Sequence, residues 1–146
     1  GEELQKKNGK ITLLNSSELE VVPFQFRQLV YNLLSNSLKY AKHDTSPVIT
    51  LDTETITNAQ IIDDNLLEGK EYVKITITDN GIGFEDHFSK KIFEVFQRLH
   101  TKQEYVGTGI GLAIVKKIVQ NHFGYIDATS ELNKGSVFTV VVPKQQ

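Results

Sequence analysis

Hydrophobic and polar positions along the chain follow helical spacing in two segments. Apolar residues recur on one broad face from 24 to 42, and Pro23 suits the first turn of that helix. A second helix is predicted over 108–123, where Ile110, Ile114 and Ile118 share a face. The apolar face of the first helix comprises Phe26, Leu29, Val30, Leu33, Leu34, Ser37, Leu38 and Ala41.

Strand patterns occupy much of the remaining chain. Strands are predicted at 11–14, 48–56, 72–78, 125–129 and 137–142, with a further short one at 21–22. A polar, acidic loop is predicted over 57–70, a short helix over 87–96, and a hairpin turn over 131–135. Strands and helices are mixed rather than regularly alternating. This order predicts an α/β fold, a two-layer α/β sandwich with a mixed, mostly antiparallel sheet packed against helices.

Length and charge narrow the classes of function. With 146 residues and a net charge of −2, the chain is expected to form one domain over 1–146, with neither nucleic acid nor a membrane surface as partner. The absence of Cys excludes disulfides and thiolate chemistry. The four His residues have no zinc-like spacing. Residues 1–10 are interpreted as a linker remnant from an upstream domain.

Asn32 and Asn36 are the first candidate site residues. They lie four residues apart on the first helix, at the edge of its apolar face, with Lys39 beside them. A carboxamide oxygen is a hard ligand that can complete a Mg²⁺ shell made mainly of phosphate and water oxygens. Taken alone, two Asn residues on a helix flank more often simply face solvent.

The segment 79–84, Asp-Asn-Gly-Ile-Gly-Phe, directly follows a predicted strand. Gly81 and Gly83 permit close backbone approach of a ligand. Asp79 could accept a hydrogen bond from an exocyclic amine in a half-buried pocket. Asp-Asn-Gly is also favourable turn chemistry, so an ordinary turn and a binding site remain equal alternatives here.

A second Gly-rich segment, 107–112, leads into the second helix. Its N–H groups and the positive end of the helix can bind phosphate. A dinucleotide-binding fingerprint is disfavoured, because that motif requires a preceding strand and 100–106 is polar and aperiodic. Between the two Gly segments, Phe93 and Phe96 could anchor a short helix, and Arg98 could reach phosphate. Simple packing of the two Phe residues and solvation of Arg98 is the stronger interpretation when these residues are taken alone.

Taken in order, these segments resemble the catalytic ATP-binding domain of sensor histidine kinases, within the superfamily that includes gyrase, Hsp90 and MutL. Residues 26–40 resemble its N box, 79–84 its first G box, 92–98 its F box, and 107–115 its second G box. Residues 135–143 resemble its final strand. The resemblance spans nearly the whole chain and implies a Bergerat-type ATP-binding fold, with ATP and Mg²⁺ as cofactors.

The resemblance also implies roles for individual residues. Asn36 would coordinate Mg²⁺ with Asn32 assisting, Lys39 would contact phosphate, and Tyr40 would pack beside the nucleotide. Asp79 would bond the adenine amino group in a pocket shaped by Gly81 and Gly83. The implied lid and phosphate contacts are Arg98, Gly107, Thr108, Gly109, Gly111 and Leu112. Ser37 stands where Ala is common in the family, and Gln97 where an aromatic is common.

Asn32 distinguishes between branches of the superfamily. Hydrolysing members generally carry a Glu there as general base, whereas an amide cannot take a proton at neutral pH. The resemblance therefore implies a histidine protein kinase that transfers phosphate to a His on a separate dimerisation domain, for onward transfer to a response regulator receiver domain. His43-Asp44 is interpreted as exposed surface. The fragment is expected to be monomeric and cytoplasmic, whether or not its parent is membrane-anchored.

Two other classes of function remain. An anti-sigma-factor-type serine kinase shares these boxes, and an acceptor-His domain in the full protein would decide against it. A nucleotide-gated interaction module without catalysis is the other alternative. The intact candidate ligands Asn36 and Asp79 count against that module.

Overall fold

A computed structural model describes residues 9–13, 23–94 and 111–145. Strand β1 covers Lys10–Leu13, helix α1 Pro23–Lys39, strand β2 Val48–Ile56 and strand β3 Tyr72–Asp79. Helix α2 covers Gly111–Asn121, and strands β4 and β5 cover Tyr125–Glu131 and Gly135–Pro143. Three short 3₁₀ turns lie at Ala59–Ile61, Asp86–Phe88 and Lys91–Phe93.

The described strands form one five-stranded sheet in the order β1-β2-β3-β5-β4. Strand β1 pairs in parallel with β2, and the other three pairings are antiparallel. The prediction of a mixed, mostly antiparallel sheet is therefore confirmed. Because β3 pairs with both β2 and β5, its end at Asp79 lies opposite Ile49 on one side and Ser136 on the other.

Both helices pack on the sheet through apolar residues spaced as the sequence predicted. Leu29 and Leu33 of α1 are almost fully buried, as are Val115 and Val119 of α2. They join one hydrophobic cluster with the alternating inward residues of the strands, which include Ile75, Ile77, Ala128, Phe138 and Val140. This helix layer on a sheet is the predicted two-layer α/β sandwich.

The first predicted helix extended too far. Helix α1 ends at Lys39 rather than at 42. The carbonyl of Tyr40 accepts the N–H of Ile82 at 2.9 Å, so it serves the following loop instead of a further helical turn. The second helix begins at Gly111 in the described residues, and 108–110 lie outside them.

The helix predicted over 87–96 is wrong for the part that the structure describes. Two 3₁₀ turns replace it, and Glu94 has extended backbone angles, φ −83° and ψ 151°, which end the helical conformation. Ile92 and Phe93 are both buried. Phe93 packs edge-on against Phe138, with ring centroids 6.1 Å apart.

Strand bounds agree closely with prediction. The predicted strand over 48–56 matches β2 in full, while β3, β4 and β5 extend slightly beyond their predicted limits. The possible strand at 21–22 lies outside the described residues. Across the described ranges, neither helix is long and apolar enough to cross a membrane.

Candidate functional site

Asp79, the last residue of β3, carries three hydrogen bonds on one carboxylate. Its Oδ2 accepts a bond from the Ser37 hydroxyl at 3.0 Å. Its Oδ1 accepts from the N–H groups of Gly81, at 2.9 Å, and Ser136, at 3.3 Å. Helix α1, the first G box and strand β5 therefore meet at this side chain.

Burial raises the pKa of Asp79, and the bonds from Gly81, Ser37 and Ser136 each act to lower it. Burial is the largest of these influences. Among the described residues, the groups that offset the desolvation of this carboxylate are dipolar rather than charged. Such a group is suited to accept a hydrogen bond from an uncharged ligand donor, since no cation already neutralises it.

Gly81 allows the first G box to lie against the end of α1. A Cβ atom at this position would stand 2.5 Å from the carbonyl oxygen of Tyr40, closer than real Cβ contacts allow. The neighbouring Ile82 N–H bonds that same carbonyl at 2.9 Å. Glycine here maintains close contact between two chain segments, and the contact places Asp79 beside the helix.

Gly83 serves a second close approach, to the β4–β5 hairpin. Its φ is +64°, and a Cβ atom would collide with the backbone carbonyl of Glu131. On either side of it, the Ile82 carbonyl accepts from Asn133 N–H at 2.7 Å, and Phe84 N–H donates to Ser130 Oγ at 2.8 Å. The two glycines therefore fasten the loop between α1 and the hairpin.

The candidate residues of α1 occupy one flank of that helix. Asn32 donates its Nδ2 hydrogen to the carbonyl of Gly111 at 3.3 Å. This bond links the N box to the first residue of α2. Asn36 and Tyr40 are half-buried, and Lys39 is exposed. Since Ser37 reaches Asp79 directly, the neighbouring Asn36 lies close to the same end of β3.

The structure brings only part of the second G box to the site. Gly111 and Leu112 are half-buried at the start of α2. The remaining predicted lid residues lie outside the described residues: Arg98, Gly107, Thr108 and Gly109. Phe96 also lies outside them. His43 and Asp44 are exposed, in agreement with the interpretation of this pair as surface.

Three serines around Asp79 were not predicted as site residues. Ser37 is buried, 2% exposed, on the otherwise apolar face of α1. Ser136 donates through its backbone, and its Oγ lies 3.0 Å from that of Ser130. A hydroxyl within an apolar helical face was the available signal for Ser37. The serines of the hairpin carried no comparable signal, because their contacts with the G box are long-range.

Asn80 has a structural role. Its Oδ1 accepts from Val48 N–H at 2.8 Å, and its Nδ2 donates to the carbonyl of Ser46 at 3.2 Å. These bonds fasten the segment that precedes β2 to the end of β3. In the first G box, turn chemistry and site geometry thus coexist: Asn80 holds the turn while Asp79 faces the helix.

The oxygen donors of the site fit Mg²⁺ only in part. No group of three or more His, Cys, Asp or Glu side chains that could hold a metal occurs within 9–13, 23–94 and 111–145. Asn36 offers a single neutral oxygen at a half-buried position. That oxygen fits a Mg²⁺ ion whose other ligands are phosphate and water, and does not fit an all-protein metal site.

An α/β sandwich with a half-buried, hydrogen-bonded carboxylate beside an Asn-bearing helix and a Gly-rich loop is typical of a class of nucleotide-binding domain. Residues 21–146 match the model of the family described as Histidine kinase-, DNA gyrase B-, and HSP90-like ATPase, and the chain belongs to this family. Among curated relatives, it is 38% identical over 119 residues to cyanobacterial phytochrome A of Nostoc sp., covering 82% of this chain. It is also 35% identical over 145 residues to the sensor protein RprX of Bacteroides fragilis, covering 96% of this chain.

The chain spans only 14% of that phytochrome and 25% of RprX. Solved structures with the same fold include the nucleotide-free catalytic domain of the histidine kinase ThkA, with a TM-score of 0.73 and 23% identity, covering 99% of this chain and 84% of that one. Full-length ShkA in complex with AMPPNP also has a TM-score of 0.73, with 24% identity over 99% of this chain and 27% of that one.

Proposed function

We propose that this domain binds Mg²⁺-ATP between α1, the first G box and the start of α2. We further propose that it donates the γ-phosphoryl group to a histidine of a separate dimerisation domain, for onward transfer to a response regulator. The observation that carries the proposal is the half-buried Asp79 carboxylate, which accepts hydrogen bonds from Ser37, Gly81 and Ser136. Family membership and the nucleotide complex of ShkA support it.

In this proposal Asp79 accepts a hydrogen from the adenine amino group. Tyr40 packs beside the base, and Gly81 and Gly83 shape the pocket, since a side chain at either position would collide with the Tyr40 or Glu131 carbonyl. Lys39 is exposed beside Asn36 and meets phosphate charge. The second G box, Gly107, Thr108, Gly109, Gly111 and Leu112, together with Arg98, is assigned to the phosphates and the lid.

Mg²⁺ would be held by Asn36 together with phosphate oxygens, and it would supply charge neutralisation at the transferred group. Asn32 cannot act as a general base toward water, since an amide takes no proton at neutral pH. Its Nδ2 is also committed to the Gly111 carbonyl. The site therefore favours delivery of the phosphoryl group to an external nucleophile over hydrolysis.

The Asn36→Ala substitution tests the metal assignment. We expect the Mg²⁺ dependence of nucleotide binding to disappear, because the substitution removes the one protein oxygen assigned to the ion. Affinity for an ATP analogue would be compared with and without Mg²⁺ in both proteins. If the variant keeps the Mg²⁺ response of the wild type, Asn36 is a structural residue.

A transfer assay tests the reaction class. The domain would be incubated with Mg²⁺ and γ-labelled ATP, with and without the dimerisation domain of its parent protein. We expect label on that domain, labile in acid and stable in base, as a phosphohistidine is. Acid-stable label would favour the serine kinase. Saturable ATP binding without transfer would favour an interaction module, and rapid multiple-turnover phosphate release would contradict the role given to Asn32.

A further inference from the structure

Ser37 is a buried hydroxyl in the apolar face of a helix. It is 2% exposed, and its neighbours on that face, Leu33 and Leu38, belong to the hydrophobic core. A hydroxyl in such surroundings destabilises the fold unless it is hydrogen-bonded. Ser37 meets this requirement by donating to Asp79 Oδ2 at 3.0 Å, across 42 positions of sequence. Its single proton is thus directed at the carboxylate that we assign to the nucleobase.

The hydrogen bonds of Asp79 leave little freedom in how a ligand can use it. A carboxylate has about four acceptor positions, two on each oxygen. On Oδ1, both are taken by the N–H groups of Gly81 and Ser136. On Oδ2, Ser37 takes one. Among the contacts of the described residues, a single acceptor position is left, on the oxygen that Ser37 holds.

We propose that Ser37 is a positioning residue that sets the purine preference of this site, by occupying one acceptor position of Asp79 Oδ2 and orienting the other toward the 6-amino group. The inference rests on the proposed nucleotide function and adds a residue to it. Ser37 need not touch the base: it acts through Asp79. The ligand class that it favours is a 6-aminopurine nucleotide, and the class that it disfavours is a 6-oxopurine nucleotide.

The chemistry of the two purines explains the preference. Adenine presents an N–H donor at position 6, which matches the remaining acceptor position. Hypoxanthine presents an oxygen there, whose lone pairs repel those of Oδ2, and a donor at the adjacent N1. Without Ser37, Oδ2 has two open acceptor positions and a freer rotation, so that it can reach the N1–H of hypoxanthine. Loss of the hydroxyl should therefore weaken adenine binding more than hypoxanthine binding.

The pH dependence of ATP affinity provides an independent readout. The ionised carboxylate of Asp79 can only accept hydrogen bonds, whereas its protonated form can also donate one. Ser37 lowers the pKa of Asp79 against the effect of burial. Within the described residues, Asp79 is bonded by two backbone N–H groups and the Ser37 hydroxyl. Of the charged side chains on the adjoining elements, Asp52 of β2 and Lys74 of β3 are half-buried, and the others are exposed: Arg27 and Lys39 on α1, Glu54 on β2, and, at the hairpin turn, Glu131 and Lys134, whose Oε2 and Nζ lie 3.7 Å apart. Without Ser37, Asp79 should therefore be protonated at a higher pH. The fall in ATP affinity on acidification should then begin at a higher pH than in the wild type.

The test compares non-hydrolysable analogues of ATP and of inosine triphosphate that share the same phosphate chain, so that the two ligands differ only at the 6-position edge of the base. Affinities would be measured across a range of pH for the wild type, Ser37→Ala and Ser37→Cys, which keeps bulk and a weak donor. Ser35→Ala, on the same helix, is the matched control. We expect Ser37→Ala to reduce the ratio of the affinity for ATP to that for inosine triphosphate by about three- to tenfold. The acid midpoint, the pH at which half of the ATP affinity is lost on acidification, should rise. Ser37→Cys should lie between it and the wild type, and Ser35→Ala should match the wild type.

The outcomes separate the inference from the function on which it rests. If the wild type binds ATP but Ser37→Ala keeps both its purine preference and its acid midpoint, the inference is overturned and the function stands. If the wild type binds neither nucleotide, both fall. Thermal melts check that each variant folds. Should Ser37→Ala not fold, Ser37→Cys decides, since a preference equal to that of the wild type overturns the inference.

Discussion

The side-chain N–H donor of Asn32 is as important to this domain as the side-chain oxygen. Its Nδ2 bonds the Gly111 carbonyl at 3.3 Å and so joins α1 to α2. A carboxylate at this position cannot donate, and it would face the carbonyl oxygen with like charge. The bond therefore gives a physical reason for an amide where a hydrolysing relative would need an acid.

We predict that Asn32→Asp lowers the free energy of unfolding by about 1–3 kcal/mol, the penalty for a broken, partly buried hydrogen bond. Chemical denaturation measures this change. The matched control is Asn121→Asp, which removes an exposed bond from Nδ2 to Gln25 Oε1 at 3.3 Å. Equal losses in the two variants would show that the Asn32 bond has no special importance.

Asp79 makes stability and ligand binding depend on pH in opposite directions. Its folded-state pKa lies above the value of 3.8 that it has when unperturbed. The folded state therefore binds this proton more tightly than the unfolded state does. The contribution of Asp79 to stability is fully present below pH 3.8 and is lost as the pH rises through the raised pKa.

We therefore predict that the stability of the ligand-free wild type falls, relative to Asp79→Asn, as the pH rises through that window. Denaturant unfolding of both proteins at a series of pH values gives the difference directly. The site would then hold an ionised carboxylate at neutral pH at the expense of stability, as function requires. A difference that is constant with pH, or that rises, would contradict the raised pKa.

At the scale of elements, the first G box acts as a clamp between α1 and the β4–β5 hairpin. Gly83 combines a positive φ of 64° with a collision that any Cβ would make at the Glu131 carbonyl. Gly69 also has a positive φ, +79°, but a Cβ atom added there would meet nothing within 4 Å. A comparison of substitutions at Gly69 and Gly83 therefore separates the cost of backbone strain from the cost of a steric collision.

We predict that Gly69→Ala destabilises the domain by about 1 kcal/mol, from the left-handed conformation alone. Gly83→Ala should destabilise it by about 3 kcal/mol or more, since the hairpin must also move. Thermal or denaturant unfolding measures both. Comparable losses of stability in the two variants would mean that the hairpin moves readily to accommodate the added methyl group, and that its contact with the first G box is not tight.

Elements with a strong hydrophobic period were predictable, and elements shaped by long-range contacts were not. Alternation located β3 closely, because burial of one face imposes that period. The end of α1 was missed, since it depends on a bond from Ile82 to Tyr40 that no local pattern encodes. The 3₁₀ turns near Phe93 were missed for a similar reason, because Phe93 packs against Phe138, a long-range contact that no local pattern encodes.

At the scale of the whole molecule, the fold and family followed from four ordered motifs, whereas the hydrogen-bond network of the site did not. Asp79 was predicted as an acceptor from its place after a strand, but the donors that hold it come from α1 and β5. Only folding brings Ser37 and Ser136 to it. The assigned roles of Asn36, Lys39 and the second G box remain predictions.

The central claim is that this domain binds a nucleotide whose base meets Asp79. A calorimetric titration with a non-hydrolysable ATP analogue and Mg²⁺ tests it most directly, on the wild type and on Asp79→Asn. We predict saturable binding that Mg²⁺ modifies, weakened about tenfold or more in Asp79→Asn by loss of the charged acceptor. Binding of equal strength in both proteins would contradict the role of Asp79, and absence of binding at millimolar ligand would contradict the nucleotide site itself.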